Sequence, residues 1–484
     1  MRSTACIFLA CLVVFAAAEA GVKLTITPRA IAAFKDEFLP KVVAQVQNLT
    51  VPEIKSGDLT ITNFNLKSLA LPTEYLNVKF GTNKLYLSSL NLGVNAQLSI
   101  YYRIWGYIPI STTIDCSTAE SDIAFTISTT EDNKFSVNEF SVHIANLRVY
   151  FPESYIGFLY HGLIYIFTWP IESLLNSIIK SQVKTALQMT LNNAMTEMSH
   201  MIVLPNTTIG LDYAMESMPK ITRDYMTVYI NGTFYDGATN FSVPPVPAPR
   251  AYPEFDSTTG QDIQAFVSEY AFNTALYEVY AKGMMSATVT NDMIPKEAPV
   301  KFSTKWLKSF IPNIYNYFND SSNITMGFSA AGNPQVTISP KDMKVNLESQ
   351  LSFNFIDGDN VTQIIKVQGN LELHANITLA NWTLKPTIIS AQFGKFTVLE
   401  SRVGDTTGDL FQKGFNVLFM FAIGGFNAEF KPVQLPKVPG VNLETSVVTF
   451  EDGHIRIQST PSYVEANVQI DAPATPALRG IKFQ

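Results

Sequence analysis

The chain has 484 residues, enough for two or more substantial cores; 15% of them are charged, 46% fall in the set AVILMFWYC, and the net charge is −7. An average soluble domain is charged at roughly 25% of its positions, so this chain must bury unusual amounts of apolar surface or offer it to something apolar. An acidic balance without any basic run excludes nucleic acid as a partner and argues against strong electrostatic capture by anionic surfaces.

Residues 1–20 read as an export signal. Arg2 is the charged start, Cys6 to Ala18 the apolar run, and Ala18-Glu19-Ala20 a small-x-small cleavage site. The competing reading, a membrane anchor, needs about 20 apolar residues and finds fewer. A mature chain beginning at Gly21 keeps a single cysteine, Cys116, so no internal disulfide is expected and packing carries the stability. Nine N-x-S/T sequons, at Asn48, Asn206, Asn231, Asn240, Asn319, Asn323, Asn360, Asn376 and Asn381, fit a secreted, extracellular glycoprotein.

Thr27-Pro28 opens a helix with a capping hydroxyl and a proline at the first helical position. Ile31, Phe34, Phe38, Val42 and Val46 then recur on one face, with Pro40 as a bend. From Leu90 the period becomes two. Leu90, Leu92, Val94, Ala96, Leu98, Ile100, Tyr102 and Ile104 alternate with mostly polar neighbours, which predicts a strand of about 50 Å. Phe140 to Phe151 continues the pattern. Long antiparallel strands apolar on one face must twist and wrap around a filler, here the entering helix. The strand should end in a hairpin at Tyr101-Tyr102-Arg103-Ile104-Trp105-Gly106-Tyr107, whose rings either project as a contact surface or fold back onto the end of the sheet.

Ser154 to Ile171 carries no Asp, Glu, Lys or Arg and stands at the threshold length of a membrane span. Its apolar face nevertheless continues past Glu172 as Leu174, Leu175, Ile178, Ile179, Val183 and Leu187, which favours a buried helix. Tyr225 to Ile230 then alternates as a closing strand.

Phe241 to Asp256, FSVPPVPAPRAYPEFD, holds prolines at 244, 245, 247, 249 and 253, so it forms neither helix nor central strand but a semi-rigid strap. Beyond it the order repeats. Asp262 to Ala281 reads as an amphipathic helix, and Met343 to Phe355 alternates, apart from Ser349. Asp357-Gly358-Asp359-Asn360 reads as a hairpin turn rather than a calcium-loop fragment, since the later glutamate is missing. Ile365 to Leu379 alternates again, Leu410 to Phe426 is a second apolar helix, and Val441–Thr449 and His454–Gln458 close the half. The organisation is therefore two similar halves, 21–240 and 257–484, joined by the strap 241–256.

No catalytic constellation is expected. The five histidines, His143, His161, His200, His374 and His454, are scattered, and no metal-binding HExxH pair, GxSxG elbow, phosphate-cradling loop or cofactor motif is present. The chain reads as a non-enzyme without metal or cofactor.

YMTVYINGTFYD, the proline strap, and FVSEYAFNTALYEVYAKGMMSATVTNDMIPK follow one another in an order that resembles the family of bactericidal/permeability-increasing protein, lipopolysaccharide-binding protein and the plasma lipid-transfer proteins. GVKLTITPRAI, SLALPTEYL, FQKGFN and QLPKVPGVNL support the resemblance, which covers Gly21 to about Tyr463. It implies an α+β boomerang of two pseudo-symmetric tubular barrels. Each barrel would be a long twisted antiparallel sheet wrapped around two helices, with a central sheet and the proline-rich linker between them. It also implies a lipid in an apolar groove of each barrel. Phe34, Phe38, Val42, Leu175 and Ile179 would line the first groove, and Phe266, Tyr270, Phe415 and Phe419 the second; taken singly, each is better read as plain core. The implied partners are a phospholipid or related amphipathic lipid and a membrane or lipoprotein surface, including a bacterial outer membrane.

Two departures from the family bear on function. Cys116 matches a strand cysteine that commonly bridges to a helix, but Lys184 stands where its partner should be, so Cys116 is expected unpaired. Endotoxin-binding members carry many cations at the outer tip of the first barrel, which hold phosphorylated lipid by charge-assisted bonds. Here the matching loops read VPEIKSGDL and YYRIWGYIP, and residues 21–240 hold 15 Lys/Arg against 18 Asp/Glu. Tyr102, Trp105 and Tyr107 would meet a lipid boundary instead. Lipid binding, with transfer between membranes or particles, is therefore the first reading, and recognition of lipopolysaccharide in innate defence the alternative.

Overall fold

The computed structural model describes residues 20–33, 53–56, 58–70, 72–104, 107–130, 134–151, 160–196, 201–203, 207–239, 242–294, 301–320, 323–380, 383–404, 406, 408–429, 433–434, 441–442 and 446–463. The first half contains β1 (Val22–Ile26), α1 (Pro28–Ala33), β2 (Ile54–Ser56), β3 (Leu59–Ala70), β4 (Leu76–Gly81), β5 (Lys84–Ile104), β6 (Ile108–Thr129), β7 (Phe135–His143), β8 (Arg148–Tyr150), α2 (Tyr160–Thr196), β9 (Met201–Val203), β10 (Ile209–Asp212), β11 (Met215–Ile221), β12 (Met226–Ile230) and β13 (Thr233–Asp236). The second contains β14 (Ile263–Ser268), α3 (Glu269–Ala281), β15 (Ser286–Val289), α4 (Thr304–Leu307), β16 (Ile324–Ala330), β17 (Gln335–Ile338), β18 (Met343–Asp357), β19 (Asn360–Ala380), β20 (Thr383–Phe393), β21 (Thr397–Ser401) and α5 (Gly408–Glu429). It ends with β22 (Val433–Gln434), β23 (Val441–Asn442), β24 (Val447–Glu451), β25 (His454–Ser459) and β26 (Ser462–Tyr463). The fold is mostly sheet with few helices. No helix among the described residues is long and apolar enough to cross a membrane.

The first sheet runs β2-β3-β5-β6-β7, with β4 on β5 and β8 on β6. β5 has 21 residues and extends about 70 Å at ~3.3 Å each, longer than the alternation from Leu90 predicts. The reason is a bulge. Leu85 and Leu87 face inward, the register to β6 shifts between Ser89 and Leu92, and Asn91 takes φ 60°. The inward set then changes phase to Leu92, Val94, Ala96, Leu98 and Ile100. Leu90, counted above with that set, is instead 53% exposed. Asn63 and Glu139 mark similar register shifts at positive φ, and such bulges bend and twist a long sheet.

The outer face of this sheet is polar. Lys67 pairs with Asp115 at 2.7 Å, Gln97 donates to the same carboxylate at 3.1 Å, and Asn95 donates to Ser68 at 2.7 Å. The inner face meets α2, whose Ile171, Leu174, Leu175, Ile178, Ile179, Val183, Ala186, Leu187 and Leu191 are buried at three- and four-residue spacing. The continuation of the entering helix, with Phe34, Phe38 and Val42, lies outside the described residues.

The second sheet runs β15-β16-β18-β19-β20-β22, with β17 on β18 and β21 on β19. Asp357 pairs with Asn360 around a two-residue turn in which Gly358 has φ 55°, so the predicted hairpin stands. Ser349, the break in the alternation, is fully buried and donates to the Gly369 carbonyl at 2.9 Å. Gly369 leaves room for a neighbour: a Cβ there would come within 2.7 Å of the Phe396 ring.

Strands of both halves form the central sheet, β11-β12-β1-β14-β25-β24. β1 joins them, pairing antiparallel with β12 on one side and β14 on the other. The strap lies across this sheet without helix or strand in residues 242–256. Tyr252 packs its ring 4.8 Å from His454 and 6.4 Å from both Tyr229 and Phe266, and burial pushes its phenol pKa up. Lys23, 3% exposed, donates to the Pro253 carbonyl, and Arg456 binds Asp256 at 3.4 Å. Asp262 ties the halves again, accepting from Thr27 Oγ1 at 2.7 Å and Arg29 Nε at 2.6 Å. The predicted helix from Asp262 needs correction. Ile263–Ser268 is a strand, and the helix starts only at Glu269, after Ser268 in extended conformation.

Candidate functional site

Two apolar clusters stand between helix and sheet. The first is built by the inner faces of β3, β5, β6 and β7 against α2, with Leu175 at 0% and Ile179 at 3% exposure. Phe125 and Phe140 stack within it at 5.4 Å, where the Glu139 bulge turns Phe140 inward beside Phe125, which follows the regular inward alternation of β6. Cys116 lies in the same cluster, and burial pushes its thiol up to about 12.

The second cluster is aromatic. Phe415, on α5, has ring centroids 5.5 Å from Phe396, 5.8 Å from Phe353 and Phe393, 6.3 Å from Trp306 and 6.4 Å from Phe411. Phe419, one turn on, sets its edge against Phe393 at 4.9 Å and is only half-buried. Beyond it Val417 and Met420 are exposed. The sequence reading named Phe415 and Phe419 but missed Trp306, Phe353, Phe393 and Phe396.

Phe266 and Tyr270 are not in this cluster. Phe266 sits on β14 beneath the strap, with Lys23 Nζ 5.7 Å from its ring centroid. Tyr270 is on α3 at the junction, its hydroxyl 3.0 Å from that of Thr233. Grouping them with α5 came from reading 262–281 as one helix, whose strand portion turns Gln264, Phe266 and Ser268 to the buried side.

Polar groups on the helices hold them to strand edges. The Asn416 amide accepts from the Phe393 N–H at 2.6 Å and donates to its carbonyl at 3.3 Å, and Asn427 does the same for Ile388 at 2.8 and 2.9 Å. On α2, Asn192 brackets Phe135 at 2.9 and 3.2 Å, and on α3 Asn273 brackets Val336 at 2.7 and 3.1 Å. Each amide stands in for a neighbouring strand and satisfies backbone groups that an edge would leave open. The available signal was asparagine within otherwise uncharged helical runs, as at Asn416 and Asn427.

At the end of the first sheet, Ile104 pairs with Ile108, so the hairpin forms where predicted. Its rings divide. Tyr102 is half-buried against the first cluster, whereas Tyr107 is 89% exposed; Trp105 lies outside the described residues. The cations nearby are engaged: Lys55 pairs with Glu53 at 3.0 Å, and Arg103 donates to the Tyr101 hydroxyl at 3.1 Å. No group of three or more His, Cys, Asp or Glu among the described residues is placed to hold a metal ion.

Comparison with known proteins gives four findings. A model described as "LBP / BPI / CETP family, C-terminal domain" matches residues 204–463. The chain is 20% identical over 473 residues to the lipopolysaccharide-binding protein of Mus musculus, covering 93% of each. It is 22% identical over 353 residues to the bactericidal permeability-increasing protein of Sebastes schlegelii, covering 69% of this chain and 71% of that one. A crystal structure of lipopolysaccharide binding protein superposes with a TM-score of 0.53 at 17% identity, covering 92% of this chain and all of the other, which carries the fold.

Proposed function

This chain belongs to the LBP / BPI / CETP family, and from that premise we propose that it is a secreted lipid-binding protein with one apolar binding region in each half. The two halves, 21–240 and 257–484, are read as tubular barrels set as a boomerang about the central sheet. The supporting observation is the pair of separate helix-over-sheet clusters, each lined almost wholly by aliphatic or aromatic side chains. Ligand pockets are largely apolar with a few polar groups that orient the ligand. The half-buried Phe419 and exposed Met420 support an opening of the second region along α5. Leu175 and Ile179, fully enclosed, would form the wall of the first region rather than direct ligand contacts.

Among lipids, a phospholipid-like ligand fits better than lipopolysaccharide. The relatives' names speak for lipopolysaccharide, but that ligand needs clustered free cations to hold its phosphates. At the first tip Lys55 is paired with Glu53 and Arg103, bonded only to the neutral Tyr101 hydroxyl, is a single charge rather than a cluster, and exposed Tyr107 suits a water–lipid boundary. Transfer or carriage of phospholipid is thus the favoured role over endotoxin recognition.

The discriminating experiment is binding to neutral phosphatidylcholine vesicles and to lipopolysaccharide, each at low and high salt. Apolar contact predicts binding to neutral vesicles that changes little with salt, because screening weakens only the electrostatic part. Changing both Trp105 and Tyr107 to Ala should then weaken it by on the order of 2 kcal/mol or more. Binding that requires lipopolysaccharide, collapses in salt and ignores these changes reverses the assignment.

A further inference from the structure

Of the five sequon asparagines among the described residues, three gather in one place, while Asn376 is exposed farther along β19. Asn360 is the first residue after the β18–β19 turn and is exposed, as are Asp357, Gly358 and Asp359 beside it. Asn323 directly precedes β16, whose first residue, Ile324, pairs with Phe355 near the same turn. Its carbonyl accepts from the Ile356 N–H at 2.9 Å. Phe318, next to Asn319, packs its ring 5.3 Å from Phe355. Asn319, Asn323 and Asn360, separated by up to 41 positions in sequence, thus converge on one end of the second sheet, and all three are exposed.

Asn231 is different. Its amide oxygen accepts from the Thr233 N–H at 3.0 Å and its amide nitrogen donates to Asp212 at 3.3 Å. Thr233, the hydroxyl residue of that sequon, is 2% exposed and bonded to Tyr270. A sugar on Asn231 would displace Asp212 and wedge open the junction between the halves. Among the described residues at the matching end of the first sheet, 53–56, 58–70, 100–104 and 107–112, there is no sequon, Asn48 lying outside the described residues, and exposed Tyr107 stands there.

We propose that N-linked glycans at Asn319, Asn323 and Asn360 crown the end of the second sheet, and that the chain therefore meets lipid surfaces only by the Tyr107 end of the first. A glycan is bulky and strongly hydrated, and stripping water from its hydroxyls at a lipid boundary costs free energy that nothing there returns. The carboxylates of Asp357 and Asp359 act in the same direction. The orientation rests on the membrane-contact reading given above; the crown does not.

The test uses the full chain secreted from a eukaryotic host. Glycopeptide mapping should find sugar on Asn319, Asn323 and Asn360, with Asn231 bare; a bare residue among the three or an occupied Asn231 overturns the crown. For orientation, an environment-sensitive dye is attached through Tyr107→Cys or Val361→Cys, both of which preserve the Asn360 sequon, while Cys116 at 2% exposure stays unlabelled in the native protein. On phosphatidylcholine vesicles the dye at 107 should shift to the blue and the dye at 361 should not. A shift at 361 as large as at 107 overturns the orientation. No shift at either position, with the sugars in place, leaves the crown standing and removes both the orientation and the membrane-contact reading beneath it.

Discussion

Asn416→Ala tests how the helices are held to the sheets. Phe393 is fully buried, and its N–H donates to Asn416 Oδ1 at 2.6 Å. Its carbonyl accepts from both Asn416 Nδ2 at 3.3 Å and Gln412 Nε2 at 3.1 Å. Removing the Asn416 amide therefore orphans a buried donor while the carbonyl keeps Gln412. An orphaned buried donor costs about 1–3 kcal/mol, against about 0.5–1.5 kcal/mol for a lost bond that leaves both groups partnered or wet. Alanine returns roughly 0.5 kcal/mol in helix propensity, so the expected loss is about 1–2 kcal/mol, or a factor of about 5–30 in the open population. Gln412→Ala, which orphans nothing at Phe393, is the control. Hydrogen exchange read at the Phe393 amide should accelerate by that factor in Asn416→Ala and clearly less in Gln412→Ala. Equal exchange in the two variants, or an unchanged Phe393 amide, would refute the clamp.

His374 lies between two carboxylates, Nδ1 2.7 Å from Asp342 and Nε2 2.9 Å from Glu372, and the bond to Asp342 does most to raise its pKa above the ordinary 6.5 against the opposing effect of burial. A raised folded value means stabilisation that is complete below the ordinary pKa and lost as pH rises through the folded one. The denaturation midpoint of the native chain should thus exceed that of His374→Gln most at mildly acid pH and approach it on the alkaline side; a gap that widens with pH contradicts the pairing. Gly369→Ala should destabilise by about 1–3 kcal/mol, since its Cβ would meet Phe396 Cδ1 at 2.7 Å and Cε1 at 2.8 Å; an unchanged urea midpoint would show that the ring moves freely. Cys116, 2% exposed and with its thiol pushed up to about 12 by burial and then by Asp115, should resist thiol reagents in the native protein and react once denatured; a dimer that disappears on reduction would show it bridged and accessible.

Period-two alternation announced the long strands, because a sheet buried on one face imposes that pattern directly. It failed at Leu90, where an asparagine in left-handed conformation shifts the phase without breaking the run of leucines. The strand Ile263–Ser268 was absorbed into the following helix because IQAFVS and EYAFNTA carry apolar residues that fit a helical face when read together. The second apolar helix was legible as a long uncharged stretch. Its clamps were not, since Asn416 and Asn427 acquire meaning only once β20 is known to offer open backbone groups opposite them. Trp306, an aromatic partner of Phe415, escapes the sequence for a related reason: it lies in a single helical turn, too short for any periodicity to single out.

The central claim is that each half holds lipid between helix and sheet. Native mass spectrometry of the full chain, secreted by lipid-replete cells and purified without detergent, tests it most directly. The account predicts adducts of phospholipid mass on the intact chain, lost on organic extraction and recovered in the extract. A spectrum containing only apo protein, from preparations that remain folded, would contradict it.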